Sequence, residues 1–266
     1  MARPEYNAVV GQKVEIAPGL IILRVMPDGW ELPEFKPGQF TILGLNPESL
    51  RIPEAEPEGL LEDQEKMIRR AYSVASSSRE KEYIEFYVRL VTSGALTPRL
   101  FALNTGDPIW ISPKITGMFT LDKVPDEKNI ILFATGTGVA PYMSMLRSNI
   151  ILQEKRRYAV VHGALNSWDL GYHSELLTIE RLCPNFEYIP IISEPENEPR
   201  PWKGHIGFVD NICKNEIIQK KWNTAITPEN TEIFLCGHPM MITGMIDLLS
   251  EKGFVERETI HLEKFW

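Results

Sequence analysis

A fifteen-residue stretch at positions 130–144, IILFATGTGVAPYMS, restricts the possible folds more than any other part of this sequence. It opens with a continuous apolar run, which is typical of a central strand in a parallel sheet. Gly136 and Gly138 follow, and glycines allow backbone N–H groups to approach an anion closely. Pro141 suits the first turn of a helix, where its missing N–H is not needed. The stretch predicts a strand, a turn that could hold a pyrophosphate, and a helix, although a tight turn without a ligand would show the same pattern.

Beyond this stretch, strand patterns alternate with helix patterns. Strands are predicted at 158–162, 187–193 and 232–237, and helices at 141–152, 170–182, 209–220 and 239–252. Such alternation predicts a parallel sheet covered by helices on both faces. The residues before 123 instead form short strand patterns separated by Gly/Pro turns, which favour a small antiparallel barrel. The predicted fold is therefore an N-terminal antiparallel β barrel over 1–122 and a doubly wound parallel-sheet α/β domain over 129–266, with a linker at 123–129.

Two parts of the predicted barrel have distinct patterns. In YIEFYVRLV at 83–91, residues alternate between Ile84, Phe86 and Val88 on one face and Glu85, Tyr87 and Arg89 on the other. This period of two predicts an amphipathic strand. The segment 46–65 is rich in proline and acidic residues and has little to bury, so we expect a long surface loop or a flexible insertion.

Composition narrows the possible partners. A formal net charge of −8 argues against nucleic acid, which requires a basic surface. The three cysteines are too few and too far apart for a disulfide framework, a zinc knuckle or an iron–sulfur cluster, so we expect no metal site. Neither a signal pattern nor a run of about 18 apolar residues occurs, so we expect a cytoplasmic protein that does not enter a membrane.

Two stretches of the first half carry polar groups suited to a cofactor. RRAYSVAS at 69–76 groups Arg70, Tyr72 and Ser73, which would offer a phosphate partner, a stacking ring and a hydroxyl. An ordinary surface strand could have the same residues. GALTPR at 94–99 predicts a short helix with Thr97 as its N-cap and Pro98 at its first position.

Two stretches of the second half of the sequence could also contact a ligand. FLCGHPMM at 234–241 places Cys236 at the carboxyl end of a strand, where ligands gather in open parallel sheets. A small buried side chain without a chemical role is the alternative. The sequence finishes on Phe265 and Trp266, two aromatic residues that would either fill the core or cover a ligand.

In this order, RAYS, EFYVRLV, GALTPRL, GTGVAP, LCGHPMM and EKFW resemble the ferredoxin/flavodoxin–NADP reductase family of the bacterial type. The resemblance covers nearly the whole chain, and the insertion at 46–65 is the main departure in length. It implies FAD bound by the barrel and NADP(H) or NAD(H) bound by the α/β domain. It also implies an external one-electron carrier, ferredoxin or flavodoxin, as the partner.

The resemblance also implies roles for individual residues. Arg70 would pair with the FAD pyrophosphate, Tyr72 and Phe265 would lie against the isoalloxazine, and Ser73 would hydrogen-bond near flavin N5. The FAD-binding set is Arg70, Ala71, Tyr72, Ser73, Tyr87, Val88, Arg89, Leu90, Ala95, Leu96, Thr97, Thr137, Phe265 and Trp266. The nicotinamide-dinucleotide set is Gly136, Thr137, Gly138, Pro141, Ala164, Leu165, Ser193, Glu194, His205, Cys236, Gly237 and Met240. The residues nearest the chemistry would be Ser73, Cys236, Glu263 and Phe265.

Three positions depart from the family pattern. NADP-specific members often have arginine where this chain has Leu165, Glu194 and His205. A carboxylate suits a ribose 2′-OH and repels a 2′-phosphate, so we expect NADH preference or dual use. Arg157, Arg200 or Lys203 could instead supply the missing charge from nearby.

The implied activity is hydride exchange between NAD(P)H and flavin, coupled to single-electron exchange with the carrier. One alternative is an NADH-dependent flavoprotein reductase component of an oxygenase or another redox system. A flavin-binding regulator without catalytic activity is a third.

Overall fold

The computed structural model describes residues 5–59, 66–149 and 155–264. The chain divides into two compact units. The first contains the residues up to Thr120 together with Met143–Ser148, and the second contains Leu121–Tyr142 and the residues from Asn149 onward.

The first unit is built on a six-stranded antiparallel sheet with the strand order β4-β3-β6-β1-β2-β5. A backbone hydrogen bond of 2.8 Å from Ala75 N–H to Glu85 C=O links the segment after β4 to β5, so the two outer strands are joined. The interior is filled by aliphatic and aromatic side chains of the strands, such as Leu23, Leu43 and Phe86. The elements are β1 Ala8–Ala17, β2 Leu20–Pro27, β3 Phe40–Leu45, β4 Ile68–Ser73, β5 Ile84–Arg89, α1 Thr97–Ala102 and β6 Pro108–Ile111.

Strand β5 differs from the amphipathic strand that its sequence predicts. All of its residues except Arg89 are buried, so both faces are covered. The Glu85 side chain is 1% exposed and accepts 2.7 Å hydrogen bonds from Arg24 Nε and Arg147 Nη1. Two guanidinium groups compensate the buried carboxylate, and this allows a charged residue to lie on a covered face.

The insertion has no strand or helix in its described part, residues 46–59, as expected of a surface loop. Hydrogen bonds nevertheless hold this part against the rest of the first unit, for example from Ile52 N–H to Pro98 C=O at 3.2 Å. Residues 60–65 lie outside the described part of the chain.

The second unit is a six-stranded parallel sheet in the order β10-β9-β8-β7-β11-β12. The predicted fold class is confirmed. The predicted strands were found, and the structure adds the two-residue β10 and the edge strand β12. The strands are β7 Asn129–Thr135, β8 Tyr158–Ala164, β9 Phe186–Ile192, β10 His205–Ile206, β11 Thr231–Gly237 and β12 Ile260–Lys264. The helices that follow β7 in the chain are α2 Ala140–Ser148, α3 His173–Leu182, α4 Val209–Lys214, α5 Ile217–Trp222 and α6 Pro239–Ser250, and α2 from Met143 onward is counted with the first unit.

Two of the predicted helices have different limits for backbone reasons. The helix predicted at 209–220 is divided into α4 and α5 because Glu216 adopts a left-handed conformation with φ 55°. The helix predicted from 170 starts at His173, after Tyr172 with φ 61°. The end of the helix predicted at 141–152 lies outside the described residues. Among the residues that are described, no helix is both long and apolar enough to cross a lipid bilayer.

Candidate functional site

Arg70 and Tyr72 lie on the same face of strand β4, two residues apart. The Arg70 guanidinium is exposed and donates a 2.7 Å hydrogen bond to the Arg69 carbonyl, and no described carboxylate pairs with it. Tyr72 is half-buried with its ring edge-on to Phe86 at 6.3 Å between centroids. Burial raises the pKa of the Tyr72 hydroxyl, so the phenol stays neutral. This face of β4 therefore offers an unpaired cation beside a neutral aromatic ring.

The other residues predicted for FAD on β4 and β5 differ in accessibility. The side chains of Ala71 and Arg89 are exposed, whereas Ser73, Tyr87 and Val88 are buried. Leu90 follows β5, and its N–H donates to the Gly19 carbonyl at 2.8 Å. Of the residues predicted for FAD on these two strands, Arg70 and Arg89 are therefore the exposed cations.

The loop from Val91 to Thr97, named here the 91–97 loop, is stabilised by a side chain from its own end. The Thr97 hydroxyl accepts from the Val91 N–H and donates to the Val91 carbonyl, each at 3.0 Å. The prediction that Thr97 caps α1 was therefore wrong, because Leu96 is the N-cap residue and Thr97 is the first helical residue. Ala95 is partly exposed and Leu96 is buried.

These groups fit a planar, phosphate-bearing cofactor such as FAD. An exposed guanidinium that no carboxylate neutralises can bind a phosphate through paired hydrogen bonds. A neutral ring beside it can stack on a flat heterocycle.

In the second unit, the turn after β7 packs backbone against backbone on the end of β11. A Cβ atom on Gly138 would lie 2.3 Å from the Cys236 carbonyl oxygen. Gly237 has φ +133°, and its Cβ would lie 2.3 Å from Thr135 Oγ1. Gly136 has φ +52°, and a Cβ atom built on it would have no described neighbour within 4 Å. The two inner glycines bring the strand ends together, and Gly136 leaves a free side that fits a diphosphate approaching the backbone.

His162 lies directly beneath this turn, and the sequence analysis missed it. Its Nε2 is 3.0 Å from the Gly136 carbonyl oxygen, and its side chain is fully buried. Burial lowers the pKa of His162 to about 4, so the ring is neutral at pH 7 and Nε2–H donates to the carbonyl. A histidine within the apolar strand YAVVHGA was the only available signal.

Cys236 and Glu263 are register neighbours on β11 and β12. Cys236 is 0% exposed, and burial, followed by the Glu263 charge, raises the pKa of its thiol well above the usual value. The thiol is therefore protonated at neutral pH and is a poor nucleophile. Tyr142, which the sequence analysis also missed, is buried beside them and donates its hydroxyl to the Phe133 carbonyl at 2.9 Å.

The remaining predicted residues near this edge differ in exposure. Met240 is 78% exposed at the start of α6, whereas Pro141 is buried in the first turn of α2. Thr137 is partly exposed in the glycine turn. Phe265 and Trp266 lie outside the described residues.

The carboxyl ends of β8 and β9 and the start of β10 hold five residues of the predicted nicotinamide-dinucleotide set, among them Leu165, Glu194 and His205, which were compared with the arginines of NADP-specific members. Ser193 N–H donates to the Ala164 carbonyl at 3.1 Å, and Glu194 N–H donates to the Leu165 carbonyl at 2.9 Å. His205 pairs with Ile191 across the sheet. Burial, and then the Lys221 charge, lowers the pKa of His205, so its ring is uncharged at neutral pH.

A second carboxylate at this edge was not predicted. The Glu198 carboxylate accepts hydrogen bonds from the Ser167 N–H and the Ser167 hydroxyl, both at 2.6 Å. These residues line an open groove of about 560 Å³ that also contains Trp202 and the exposed cations Arg200 and Lys203. Ser167 and Glu198 are 31 positions apart, so sequence spacing could not connect them.

Comparisons with known proteins identify the family. Residues 132–247 match the model of the oxidoreductase NAD-binding domain, and residues 60–117 match that of the oxidoreductase FAD-binding domain. A flavodoxin/ferredoxin–NADP reductase of Buchnera aphidicola subsp. Baizongia pistaciae is 32% identical over 208 residues, covering 78% of this chain and 76% of that protein. This chain belongs to the flavodoxin/ferredoxin–NADP reductase family.

Two other known proteins are also similar to the chain. A ferredoxin NADP+ reductase from Neisseria gonorrhoeae, solved with bound FAD and NADP, has a TM-score of 0.79 at 23% identity and covers 98% of each chain. A component of the Na+-translocating NADH-quinone reductase of Methylococcus capsulatus is 30% identical over 207 residues, covering 74% of this chain and 49% of that protein.

The family assignment confirms the predictions of cofactors and of enzyme class. The protein is an FAD- and NAD(P)-binding oxidoreductase enzyme of the ferredoxin reductase type.

Proposed function

We propose that this enzyme takes reducing equivalents from a nicotinamide dinucleotide and delivers electrons singly to an external ferredoxin or flavodoxin. Flavin, when bound, accepts a hydride and releases electrons one at a time. The observation that carries the proposal is the pair of phosphate-compatible regions. These are Arg70 beside Tyr72, where no described carboxylate pairs with the guanidinium, and the open Gly136 turn.

The first unit would hold FAD by the face of β4. Arg70 would bind the diphosphate through its guanidinium, and Tyr72 would support the ring system as a neutral aromatic surface. Ser73 would donate or accept a hydrogen bond at the flavin, and Arg89 would face the phosphate-bearing chain. The partly exposed residues Ala95 and Thr97 of the 91–97 loop would contact the phosphates.

The second unit would hold the coenzyme along the carboxyl edge of its sheet. The turn containing Gly136, Thr137 and Gly138 would receive the diphosphate, and His162 would keep the Gly136 peptide in place. Buried Cys236, with its protonated thiol, would form an uncharged floor beside Glu263 rather than attack a substrate. The chain's contribution to the reaction is to position both cofactors and to limit the access of water.

We further propose that NADH is the preferred coenzyme. The Ser167 hydroxyl and N–H could serve a 2′-phosphate, yet both are occupied by the Glu198 carboxylate. A phosphate arriving there would meet a negative charge, whereas a ribose hydroxyl would not. Leu165 and Glu194 supply no cation, and His205 is uncharged at neutral pH.

Of the three arginine and lysine substitutes considered from the sequence, Arg157 is the least suited. It precedes β8, and the seven residues of that strand separate it from Leu165 by about 26 Å. Arg200 and Lys203 line the same groove as Glu198 and are the residues through which NADPH could still bind.

The coenzyme proposal is tested by comparing kcat/KM for NADH and NADPH in the wild-type enzyme, Glu198→Gln and Glu196→Gln. We expect wild type to prefer NADH by about tenfold or more, and Glu198→Gln to raise kcat/KM for NADPH by about tenfold with little effect on NADH. Glu196→Gln removes the same charge from an exposed neighbour and should change neither value by more than about twofold. A hundredfold wild-type preference for NADPH would contradict the proposal.

The carrier proposal is tested by anaerobic reduction of a ferredoxin and of a flavodoxin with NADH. Fast reduction of either carrier supports it. Rapid reduction of ferricyanide without reduction of either carrier would instead favour the second candidate, an NADH-dependent reductase component of an oxygenase or another redox system. The carboxylates of Glu194 and Glu198 are compatible with this candidate, because they disfavour NADPH and not NADH. Bound FAD without turnover of any acceptor would indicate a flavin-binding regulator.

A further inference from the structure

The insertion is fastened to the 91–97 loop at several points. Glu56 N–H donates to the Thr92 carbonyl at 3.1 Å, and the Thr92 hydroxyl returns a 2.7 Å hydrogen bond to Glu56 Oε1. Ile52 N–H donates to the carbonyl of Pro98, in the first turn of α1. Residues 46–59, named here the insertion segment, therefore lie along the loop proposed to contact the FAD phosphates.

Arg99 connects both ends of the insertion segment to this loop. Its guanidinium forms a two-pronged pair with the Glu58 carboxylate at 2.8 and 2.7 Å. It also donates to the Pro47 carbonyl and, at 2.6 Å, to the Ala95 carbonyl. Arg99 is 2% exposed, so a buried cation has its partners on two separate pieces of chain. Loss of either piece would leave that cation incompletely compensated.

The attachment is mainly polar. Leu50 is 82% exposed, and none of residues 46–59 is fully buried, so little apolar burial holds the segment in place. Arg99 keeps the pKa of the Glu58 carboxyl below its ordinary value, which agrees with a carboxylate held by a cation. A segment held by a few directed hydrogen bonds can be released without unfolding the sheet beneath it.

We propose that the insertion segment is a clamp that fixes the 91–97 loop in its FAD-binding conformation and thereby sets the rate at which FAD leaves the enzyme. The Arg99–Glu58 ion pair and the Thr92–Glu56 hydrogen bond hold the segment against the loop. Arg99, Glu56 and Glu58 are therefore positioning residues. The inference rests on the proposed placement of the FAD phosphates at this loop. A preorganised loop loses less conformational freedom on binding, so opening the clamp would weaken FAD binding without removing a direct contact.

The test measures FAD release from the holoenzyme by the return of flavin fluorescence after dilution. Glu58→Ala should release FAD about tenfold faster and Thr92→Val about threefold faster than wild type. Glu54→Ala is the matched control, because it removes an exposed acid from the same segment that has no hydrogen bond to the loop among the described residues. Its release rate should stay within about twofold of wild type.

Charge alone predicts the opposite result. Removing an acid near a diphosphate should tighten FAD binding if electrostatics were the only effect, so faster release from Glu58→Ala indicates loss of positioning. The reduction rate by NADH of the enzyme still carrying FAD should not change.

The outcomes separate this inference from the proposed function. Unchanged release from Glu58→Ala and Thr92→Val, with faster release from Arg70→Ala, would overturn the clamp and keep the FAD site. Unchanged release from all three would overturn the clamp together with the FAD placement. If Glu58→Ala does not fold, Glu58→Gln and Thr92→Val decide, and release rates within twofold of wild type in both would overturn the clamp.

Discussion

In the first unit the groups available to a phosphate are side chains, whereas in the second they belong to the backbone of a glycine turn. Arg70 is an exposed cation that pairs with no carboxylate among the described residues, and we propose that its charge holds the FAD diphosphate. Where we propose that the adenosine end of the coenzyme binds to the second unit, Glu194 and Glu198 place negative charge instead. This difference would suit an FAD that stays bound and a less charged nicotinamide coenzyme that exchanges in every turnover.

The close backbone contact at the glycine turn of the second unit is tested most severely by Gly138→Ala. The new Cβ would lie 2.3 Å from the Cys236 carbonyl oxygen, and that backbone belongs to β11, which is paired with a strand on each side and cannot move freely. We expect a loss of about 3 kcal/mol or more in the free energy of unfolding, measured by urea titration. Gly244→Ala is the control, because its helical position is open and alanine should stabilise by about 1 kcal/mol. Equal stabilities of Gly138→Ala and wild type would show that the strand ends are not in close contact.

The proposed binding of FAD by the Arg70 side chain of the first unit is tested by substituting two adjacent arginines in turn. Arg70→Ala should raise the Kd for FAD about 100-fold, because a charge-assisted pair with the diphosphate is lost. Arg69→Ala removes the same charge, but Arg69 lies over the Trp110 ring at 4.1 Å and should affect FAD by only about twofold. Titration of the apoprotein with FAD measures both. Equal effects of the two substitutions would mean that general charge, rather than the face of β4, attracts the cofactor.

The buried parallel strands of the second unit were the most predictable part of the molecule. Strands β7, β8, β9 and β11 are buried along nearly their whole length, so their apolar runs are conspicuous in the sequence. Strand β10 has two residues, which is too short for any periodic pattern. Strand β12 mixes charged with apolar residues at the edge of the sheet, and its five residues resemble a loop.

The polar contacts that matter for function were less accessible to sequence reasoning. Glu85 was predicted on the polar face of a strand, but its side chain is buried. Arg24 and Arg147, which are 61 and 62 positions away in the sequence, donate hydrogen bonds to its carboxylate. Its burial therefore depends on tertiary neighbours that a local period cannot reveal. The glycine spacing in GTGVAP indicated the turn, but not the carbonyl of Cys236 against which Gly138 packs.

His162, beneath the glycine turn, should make the stability of the folded protein depend on pH. Its pKa is about 4 in the folded protein and near 6.5 when unfolded, so the unfolded state binds more protons between these values. Stability should therefore fall as pH falls below 6.5, by about 2 kcal/mol at pH 5 from this residue alone. Urea unfolding at pH 7.5 and pH 5 of wild type and His162→Gln measures it, since the difference between the two proteins cancels other titrating groups. Identical pH dependence of both proteins would place His162 in a more solvated environment.

The smallest expected effect concerns the adenosine end. The pKa of His205 is lowered in the folded enzyme, so the ring gains its charge only as pH falls below its ordinary range near 6.5. A cation beside the coenzyme would favour a 2′-phosphate, so the ratio of kcat/KM for NADPH to that for NADH should rise about two- to threefold between pH 7.5 and pH 5.5. The 2′-phosphate itself gains a proton in this range, which works against the rise, and His205→Gln isolates that contribution. If the ratio changes identically in wild type and His205→Gln, coenzyme choice at this edge depends on the carboxylates alone.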